Sequence, residues 1–136
     1  MEKIFSKLNS KELAHMIVRI SDFNGRTNVV SDKEFLQVST LQLSAGESFM
    51  PHIHIWKEIG GTSNVAQESW VVIKGKVECS FYDVDGSLLA IDLLDEGDCS
   101  ISLHGGHSYR AMSDAIVYEF KNGPYLGQEK DKKFVE

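Results

Sequence analysis

Three residues near the middle of the chain have the types and spacing of metal ligands. His52 and His54 are two residues apart, so in an extended strand both imidazoles project from the same face. Glu68 opens the next β-rich run, ESWVVIKG, and pairing of the two strands would bring its carboxylate to the same point. His107 is the leading candidate for a fourth ligand, and His104, three residues earlier, is the alternative.

Three imidazoles and one carboxylate make a set of nitrogen and oxygen donors. Such a set suits one divalent transition metal ion, Fe, Mn, Ni, Co or Zn, better than Cu(I), which prefers sulfur ligands. Burial of Glu68 beside Trp70 would also be unfavourable without a nearby cation. The second nitrogen of each imidazole needs a partner, and Gln67, Ser69 and Ser102 are candidates for that role. We therefore predict a metal centre formed by His52, His54, Glu68 and His107.

The elements that must position these residues are predicted to be short strands. From residue 26 onward, runs rich in Val, Ile, Leu and aromatic residues are separated by turns at 44–47, 74–76, 85–86 and 95–98. Eight or more such strands at regular spacing are typical of an all-β fold that is closed or sandwich-like.

The N-terminal segment is predicted to contain the one helix of the chain. In KELAHMIVRI the apolar residues Leu13, Ile17 and Ile20 recur at roughly helical spacing. The 136 residues are enough for one domain with a single core. We expect a helical extension over residues 1–25, a β-barrel over 26–125 and a C-terminal tail on the surface over 126–136.

The composition argues against two kinds of partner. The net charge is -6, from 14 basic and 20 acidic residues, and no basic cluster marks a nucleic-acid surface. No apolar run approaches the length of a membrane span, and the first residues lack the features of a secretory signal. Cys79 and Cys99 are interpreted as small buried residues in a reducing compartment. We therefore expect a cytoplasmic protein that binds neither nucleic acid nor membrane.

Gly46, His52, His54, Glu68 and Gly75 follow a spacing that resembles the first motif of the cupin superfamily, G(X)5HXH(X)3-4E(X)6G. The difference is that 13 residues, instead of three or four, separate His54 from Glu68. This resemblance supports the first three ligands.

The second cupin motif, G(X)5PXG(X)2H(X)3N, fits loosely. Gly97 opens it and Gly105 falls at the expected place. Leu103 stands where proline is usual, and His107 comes one residue early with no asparagine after it. His104 therefore stays open as the alternative fourth ligand.

Four further stretches, GRTNVV, PHIH, YDVDG and YEFKNGPY, carry a more specific resemblance. With them, the chain from about Arg26 to its end resembles the small bacterial WbuC-type cupin-fold metalloproteins, which are associated with surface-polysaccharide biosynthesis. The resemblance implies a double-stranded β-helix, a jelly-roll barrel, with the metal inside its mouth. It also accounts for the long loop after His54 as a family trait.

Five residues are candidates for contact with a substrate. Arg26 and Asn28 share a strand face, where they would meet an anionic or hydroxyl-rich ligand or, alternatively, form an ion pair or a solvated edge. Trp70 and Tyr109 each follow a candidate ligand by two residues, so they line the interior as a binding wall or as plain core. Glu119 on the last strand is the one further interior carboxylate that could serve as a general base.

We expect a small metal-binding protein that acts on or binds a small polar molecule, with the metal as a Lewis acid. The resemblance implies a sugar or sugar-nucleotide intermediate of polysaccharide metabolism as the ligand. Isomerase- or epimerase-like chemistry is one form of activity, and it would need a nearby general base. Three alternatives stay open: an Fe(II)-dependent dioxygenase, a non-catalytic, metal-anchored sugar-binding or regulatory module, and a purely structural, metal-free cupin.

The strand at 68–75 is apolar on both faces, and its outer face requires cover by the N-terminal helix or by a second subunit. We expect a homodimer.

Overall fold

The computed structural model describes all 136 residues, and the chain folds almost entirely into strands. Neither of its two short helical segments is long and apolar enough to span a membrane. In chain order the elements are β1 (Glu2–Phe5), β2 (Leu13–Ile17), a 3-10 helix (Ile20–Asp22), β3 (Arg26–Asn28), β4 (Leu36–Leu43), β5 (His52–His54), β6 (Lys57–Ile59), β7 (Thr62–Asn64), β8 (Glu68–Lys74), β9 (Val77–Tyr82), β10 (Leu88–Leu94), β11 (Cys99–Ser102), β12 (Gly106–Ala111), β13 (Ala115–Asn122), α1 (Gln128–Asp131) and β14 (Lys132–Phe134).

Ten of these strands form two five-stranded sheets that pack face to face. One sheet has the order β10-β9-β12-β5-β14 and the other the order β11-β8-β13-β4-β3. All pairings within the two sheets are antiparallel. Successive strands such as β8 and β9, or β11 and β12, lie in opposite sheets, so the chain winds between them. The predicted all-β fold, a double-stranded β-helix, is confirmed.

The hydrophobic core lies between the two sheets. In β8 buried residues alternate with partly exposed ones, so Glu68, Trp70 and Val72 point inward. Glu68 therefore lies at one end of the same inward face that builds the core. The core residues are Leu41, Leu43, Trp70, Val72, Ala115 and Val117 from one sheet, and Val77, Cys79, Tyr109 and Ala111 from the other.

The predicted N-terminal helix is wrong. β1 and β2 form a separate two-stranded antiparallel sheet, and the only helical turn nearby is the 3-10 helix. The Ser6 hydroxyl closes the connection by accepting hydrogen bonds from the backbone N–H groups of Leu8 and Asn9. A short isolated helix is marginal in water, and a partner strand, EKIF, lies close in sequence. Pairing with that strand therefore overrides the helical spacing.

The C-terminal segment also departs from the predicted surface tail. β14 pairs with β5 at the edge of a sheet, with Lys132 opposite His54. Asp131, just before it, is 1% exposed. Its carboxylate accepts hydrogen bonds from the ammonium groups of Lys57 and Lys121, at 2.8 and 3.1 Å. The charged sequence that indicated a solvated tail therefore supplies a buried ion cluster.

The two cysteines differ in burial, and neither is in a disulfide. Cys79 is fully buried, and burial raises the pKa of its thiol to about 12. Cys99 is exposed, which corrects the prediction that both are buried. The alternation along β11 turns Ser100 and Ser102 inward instead. Their hydroxyls therefore contact buried side chains of β12.

Candidate metal centre

The four predicted ligands come together from three strands. His52 and His54 lie on β5, and His107 lies opposite His52 on the neighbouring strand β12. Glu68 begins β8 in the facing sheet, so its carboxylate reaches the histidines across the core. The expected pairing of the glutamate strand with the histidine strand is therefore wrong, although the four side chains do converge.

The donor atoms of this cluster are close enough to share one ion. The Nε2 atoms of His52 and His107 are 3.1 Å apart. Glu68 Oε2 lies 3.2 Å from His54 Nε2, and Glu68 Oε1 lies 3.3 Å from His107 Nε2. All four donors lie within 4.8 Å of one another. Donors about 2.1 Å from an ion and at right angles to each other are about 3.0 Å apart, so these separations fit metal coordination.

The burial of the cluster also fits a cation. All four residues are between 0% and 7% exposed. Neither ring nitrogen of His54 makes a well-oriented hydrogen bond within the protein. A buried polar atom without a partner costs about 1–3 kcal/mol, and coordination of Nε2 to a metal would remove that cost. The donor set of three imidazoles and one carboxylate therefore fits one divalent transition metal ion.

Each imidazole is oriented through its other nitrogen. His52 Nδ1 lies 2.9 Å from the carbonyl oxygen of Met50, and His107 Nδ1 lies 2.7 Å from the hydroxyl of Ser102. His54 Nδ1 faces Asp131 at 3.5 Å. Among the three residues predicted to support the imidazoles, only Ser102 does so. These contacts direct all three Nε2 atoms toward the common centre.

Burial and neighbouring charges shift the pKa values of the cluster's side chains in different directions. Burial, and then the neighbouring His107, lower the pKa of His52 to about 4. Burial disfavours the charged form of His54 too, but attraction to Asp131 and Glu68 outweighs it and raises the pKa of His54 to about 9. Burial alone would raise the pKa of Glu68, yet His107 and His54 hold it well below its usual range. Without an ion, the cluster at neutral pH therefore has an ionised Glu68, an unprotonated His52 and a protonated His54, whose proton a metal ion would displace.

A glycine corner brings His107, and not His104, into the cluster. Gly105 has a φ of +86°, and a Cβ there would collide with a backbone carbonyl of β9. A Cβ at Gly106 would collide with the carbonyl of His52. The two glycines therefore let β12 lie close against its neighbours on both sides. His107 follows directly and is fully buried, whereas His104 is exposed.

A cavity of ≈ 310 Å³ opens at the cluster, and His52, His54 and Glu68 form part of its wall. Of the 16 residues that line it, four are hydrophobic, so the cavity suits a polar molecule. All five residues predicted to contact a substrate lie in this wall: Arg26, Asn28, Trp70, Tyr109 and Glu119.

Arg26 and Glu119 form an ion pair in the cavity wall. The guanidinium donates hydrogen bonds to both carboxylate oxygens, at 2.5 and 3.0 Å. The indole N–H of Trp70 lies 2.9 Å from Glu68 Oε1 and 3.2 Å from Glu119 Oε2. Asn28 Oδ1 accepts a hydrogen bond from Ser39 at 2.9 Å. Trp70 therefore connects the ion pair to a metal-ligand candidate.

Trp70 and Tyr109 serve both the core and the cavity. Their rings stack with centroids 3.9 Å apart and planes 6° from parallel. The Tyr109 hydroxyl is hydrogen bonded to the hydroxyl of Ser100 at 2.8 Å, and burial raises the pKa of the phenol. The two readings of these residues from the sequence, binding wall and plain core, are thus compatible.

Asp131 contacts the cluster and was missed by sequence reasoning. Burial alone would raise its pKa, but His54, Lys121 and Lys57 hold the carboxyl well below its usual range. An acidic residue inside a run of charges carries no sequence signal of burial.

Comparison with solved structures shows the same fold in several proteins. An uncharacterised conserved protein with a double-stranded β-helix domain from Klebsiella pneumoniae is 18% identical with a TM-score of 0.58, over 88% of this chain and 85% of that one. KdgF from Halomonas sp. is 18% identical with a TM-score of 0.55, over 71% and 77%. A cupin superfamily protein from Desulfitobacterium hafniense is 13% identical with a TM-score of 0.54, over 72% and 75%. No protein-family model and no curated protein matches the sequence. At these identities the similarity establishes the cupin fold.

Proposed function

We propose that this chain is a metal-dependent cupin that binds a small polar molecule at an ion held by His52, His54, Glu68 and His107. The observation that carries the proposal is the convergence of four buried donors at the wall of a polar cavity. A divalent ion there would supply Lewis-acid polarisation of a carbonyl or hydroxyl oxygen.

The size of the cavity limits the ligand. A volume of ≈ 310 Å³ is at the lower end for small-molecule sites, so it holds a molecule about the size of a monosaccharide. The nucleotide part of a sugar nucleotide would have to extend outside. We therefore propose a sugar-derived ligand, supported by the resemblance to cupins associated with surface-polysaccharide biosynthesis.

The side chains around the ligand favour binding and polarisation over proton abstraction. Glu119, the second buried carboxylate of the cavity wall, is held by Arg26 and by the indole of Trp70. A carboxylate engaged in this way is a weak general base. Its role in the proposal is to fix Arg26 and Trp70 beside the ligand.

Metal content tests the proposal directly. We expect one divalent transition metal ion per chain in anaerobically purified protein, measured by elemental analysis. His52→Ala, His54→Ala and Glu68→Ala should each lose most of it. A wild-type protein that binds no stoichiometric metal, with its fold confirmed by circular dichroism, would refute the proposal. Iron with substrate-dependent oxygen uptake would instead favour the dioxygenase alternative.

We also propose that two copies of the chain associate through β10. This strand is the outermost of its sheet, so one of its backbone edges has no partner strand. Monomeric proteins usually protect such an edge with charges, but β10 has a single charged residue, Asp92. β11, the outermost strand of the facing sheet, exposes Ile101 at 66%. The exposed apolar residues of β10 are Leu88, Leu89, Ile91 and Leu93, at 54%, 63%, 57% and 45%.

A second copy is the occupant that fits this edge. Antiparallel pairing of β10 with itself would satisfy the free backbone groups and cover the apolar side chains around a two-fold axis. Light scattering after size-exclusion chromatography should give about twice the 15.2 kDa mass of the chain. Ile91→Glu should give a monomer, whereas Leu8→Glu, at a fully exposed position of the β1–β2 connection, should not. A monomeric wild-type protein would refute the dimer.

A further inference from the structure

Lys132 projects into the cavity from the C-terminal strand. In the antiparallel pair of β14 and β5, Lys132 lies opposite His54 and Lys133 lies opposite Ile53. Residues directly opposite each other in such a pair project from the same face of the sheet. Lys132 therefore shares the face of the metal-ligand candidates and lines the cavity, whereas Lys133 is exposed on the other face.

The other cations around the cavity already have carboxylate partners. Arg26 binds Glu119 through both of its terminal nitrogens. Lys57 and Lys121 share the two carboxylate oxygens of Asp131. Their charges are therefore engaged inside the protein.

Lys132 has no such partner. No carboxylate lies within ion-pair distance of its ammonium group, and its one aromatic contact, with the ring of Phe134, is at 5.9 Å. Burial, and then the positive charge of Lys121, lower the pKa of Lys132. A half-buried ammonium group without a counter-ion is unfavourable, and an anion from outside would remove that cost.

The local charge agrees with this expectation. The two ammonium groups of Lys57 and Lys121 and the single carboxylate of Asp131 have a net charge of +1, and Lys132 adds one more positive charge. Asp32 on the rim and the ionised Glu68 in the wall offset both of them. A divalent ion bound to the four-donor cluster would therefore leave the region with two positive charges. In a protein of net charge -6, such a concave positive region attracts small anions.

We infer that Lys132 forms an anion subsite beside the metal centre, and that the ligand of this cavity carries a carboxylate or phosphate group. The inference rests on the proposed function and adds the charge class of the ligand to it. The ammonium group is a point donor that binds either anion, while the cavity volume restricts the rest of the molecule to a small polar body.

Three probes of similar size separate the charge of the ligand from its shape: D-glucose, D-glucuronate and D-glucose 6-phosphate. Isothermal titration calorimetry on metal-loaded protein should show at least one of the two anions binding about tenfold tighter than D-glucose. Lys132→Gln should remove most of that preference, and Lys132→Arg should retain it. Lys133→Gln, one residue further along the same strand, should leave it unchanged. The preferred anion shows whether the ligand carries a carboxylate or a phosphate group.

Metal content of the same samples separates this inference from the proposed function. Equal affinities of the wild type for the anions and D-glucose overturn the inference, and so does a lack of binding by both anions. If the variants keep their metal and their circular-dichroism spectra, a preference that survives in Lys132→Gln also overturns it. Loss of metal from the wild type would instead refute the proposed function.

Discussion

Replacing Asp131 by asparagine should weaken both the fold and the metal centre. Asp131 is 1% exposed, and its carboxylate is the only one paired with the ammonium groups of Lys57 and Lys121. The substitution keeps the size of the side chain and removes its charge. It therefore leaves Lys57 and Lys121 with excess positive charge at a buried position, next to His54.

The size of the effect follows from the burial of these groups. Removing one partner of a buried ion pair costs about 3–5 kcal/mol. The side chain of Lys57 is 5% exposed and cannot reach water, whereas that of Lys121 is 15% exposed and lines the cavity. We therefore expect a loss of about 3 kcal/mol, mostly from Lys57, out of a typical total stability of about 5–15 kcal/mol. Loss of the carboxylate behind His54 should reduce metal affinity about 10- to 100-fold.

Urea unfolding of the metal-free protein measures the first effect, and competition with a chromophoric chelator measures the second. Glu129→Gln, an exposed carboxylate in the same short helix α1, is the matched control and should change neither quantity. In the double variant with Lys57→Met, most of the lost stability should return because the most buried ammonium group is also removed. The loss of metal affinity should persist in that double variant, because His54 still lacks its carboxylate.

Two results would refute this reasoning. The first is a urea midpoint for Asp131→Asn equal to that of Glu129→Gln, since it would mean that the buried ion cluster contributes nothing to stability. The second is a metal affinity that recovers together with stability in the double variant. That outcome would reduce the role of Asp131 to holding Lys57 and Lys121.

Three further predictions concern the metal centre itself. His107→Ala should abolish stoichiometric metal binding in elemental analysis while His104→Ala retains it; the reverse pattern would exchange their roles. Gly106→Ala should lower the urea midpoint and the metal content together, because its Cβ would collide with the carbonyl of His52; normal values would contradict this packing. Chelation should lower the thermal midpoint, since metal at about 1,000 times its Kd adds about 4 kcal/mol to stability, and an unchanged midpoint would exclude a bound ion.

The histidine pair could be predicted from the sequence because the alternation of side chains along a strand depends only on local geometry. Two imidazoles at 52 and 54 must share a face wherever the strand lies. The sequence did not specify that Glu68 belongs to the facing sheet, because the partner of a strand depends on the winding of the whole chain. Helical spacing at the N-terminus was misleading for a similar reason: a neighbouring strand was available to pair.

Asp131 and Lys132 could not be predicted from local sequence. The burial of Asp131 depends on Lys57 and Lys121, which are 74 and 10 residues away, and on the pairing of β14 with β5. A run of alternating charges has the same appearance in a solvated tail and in a strand that closes a site. Only the long-range register distinguishes the two cases.

The position of Trp70 gives the protein an internal optical reporter. Its indole N–H is 2.9 Å from a Glu68 carboxylate oxygen, and its ring is buried against Tyr109. The other tryptophan, Trp56, is 63% exposed, so the two should emit at different wavelengths. Ions with partly filled d shells quench a nearby indole, whereas Zn²⁺, with a filled shell, does not. The fluorescence of the unlabelled protein should therefore follow metal loading and separate zinc from iron, cobalt or nickel.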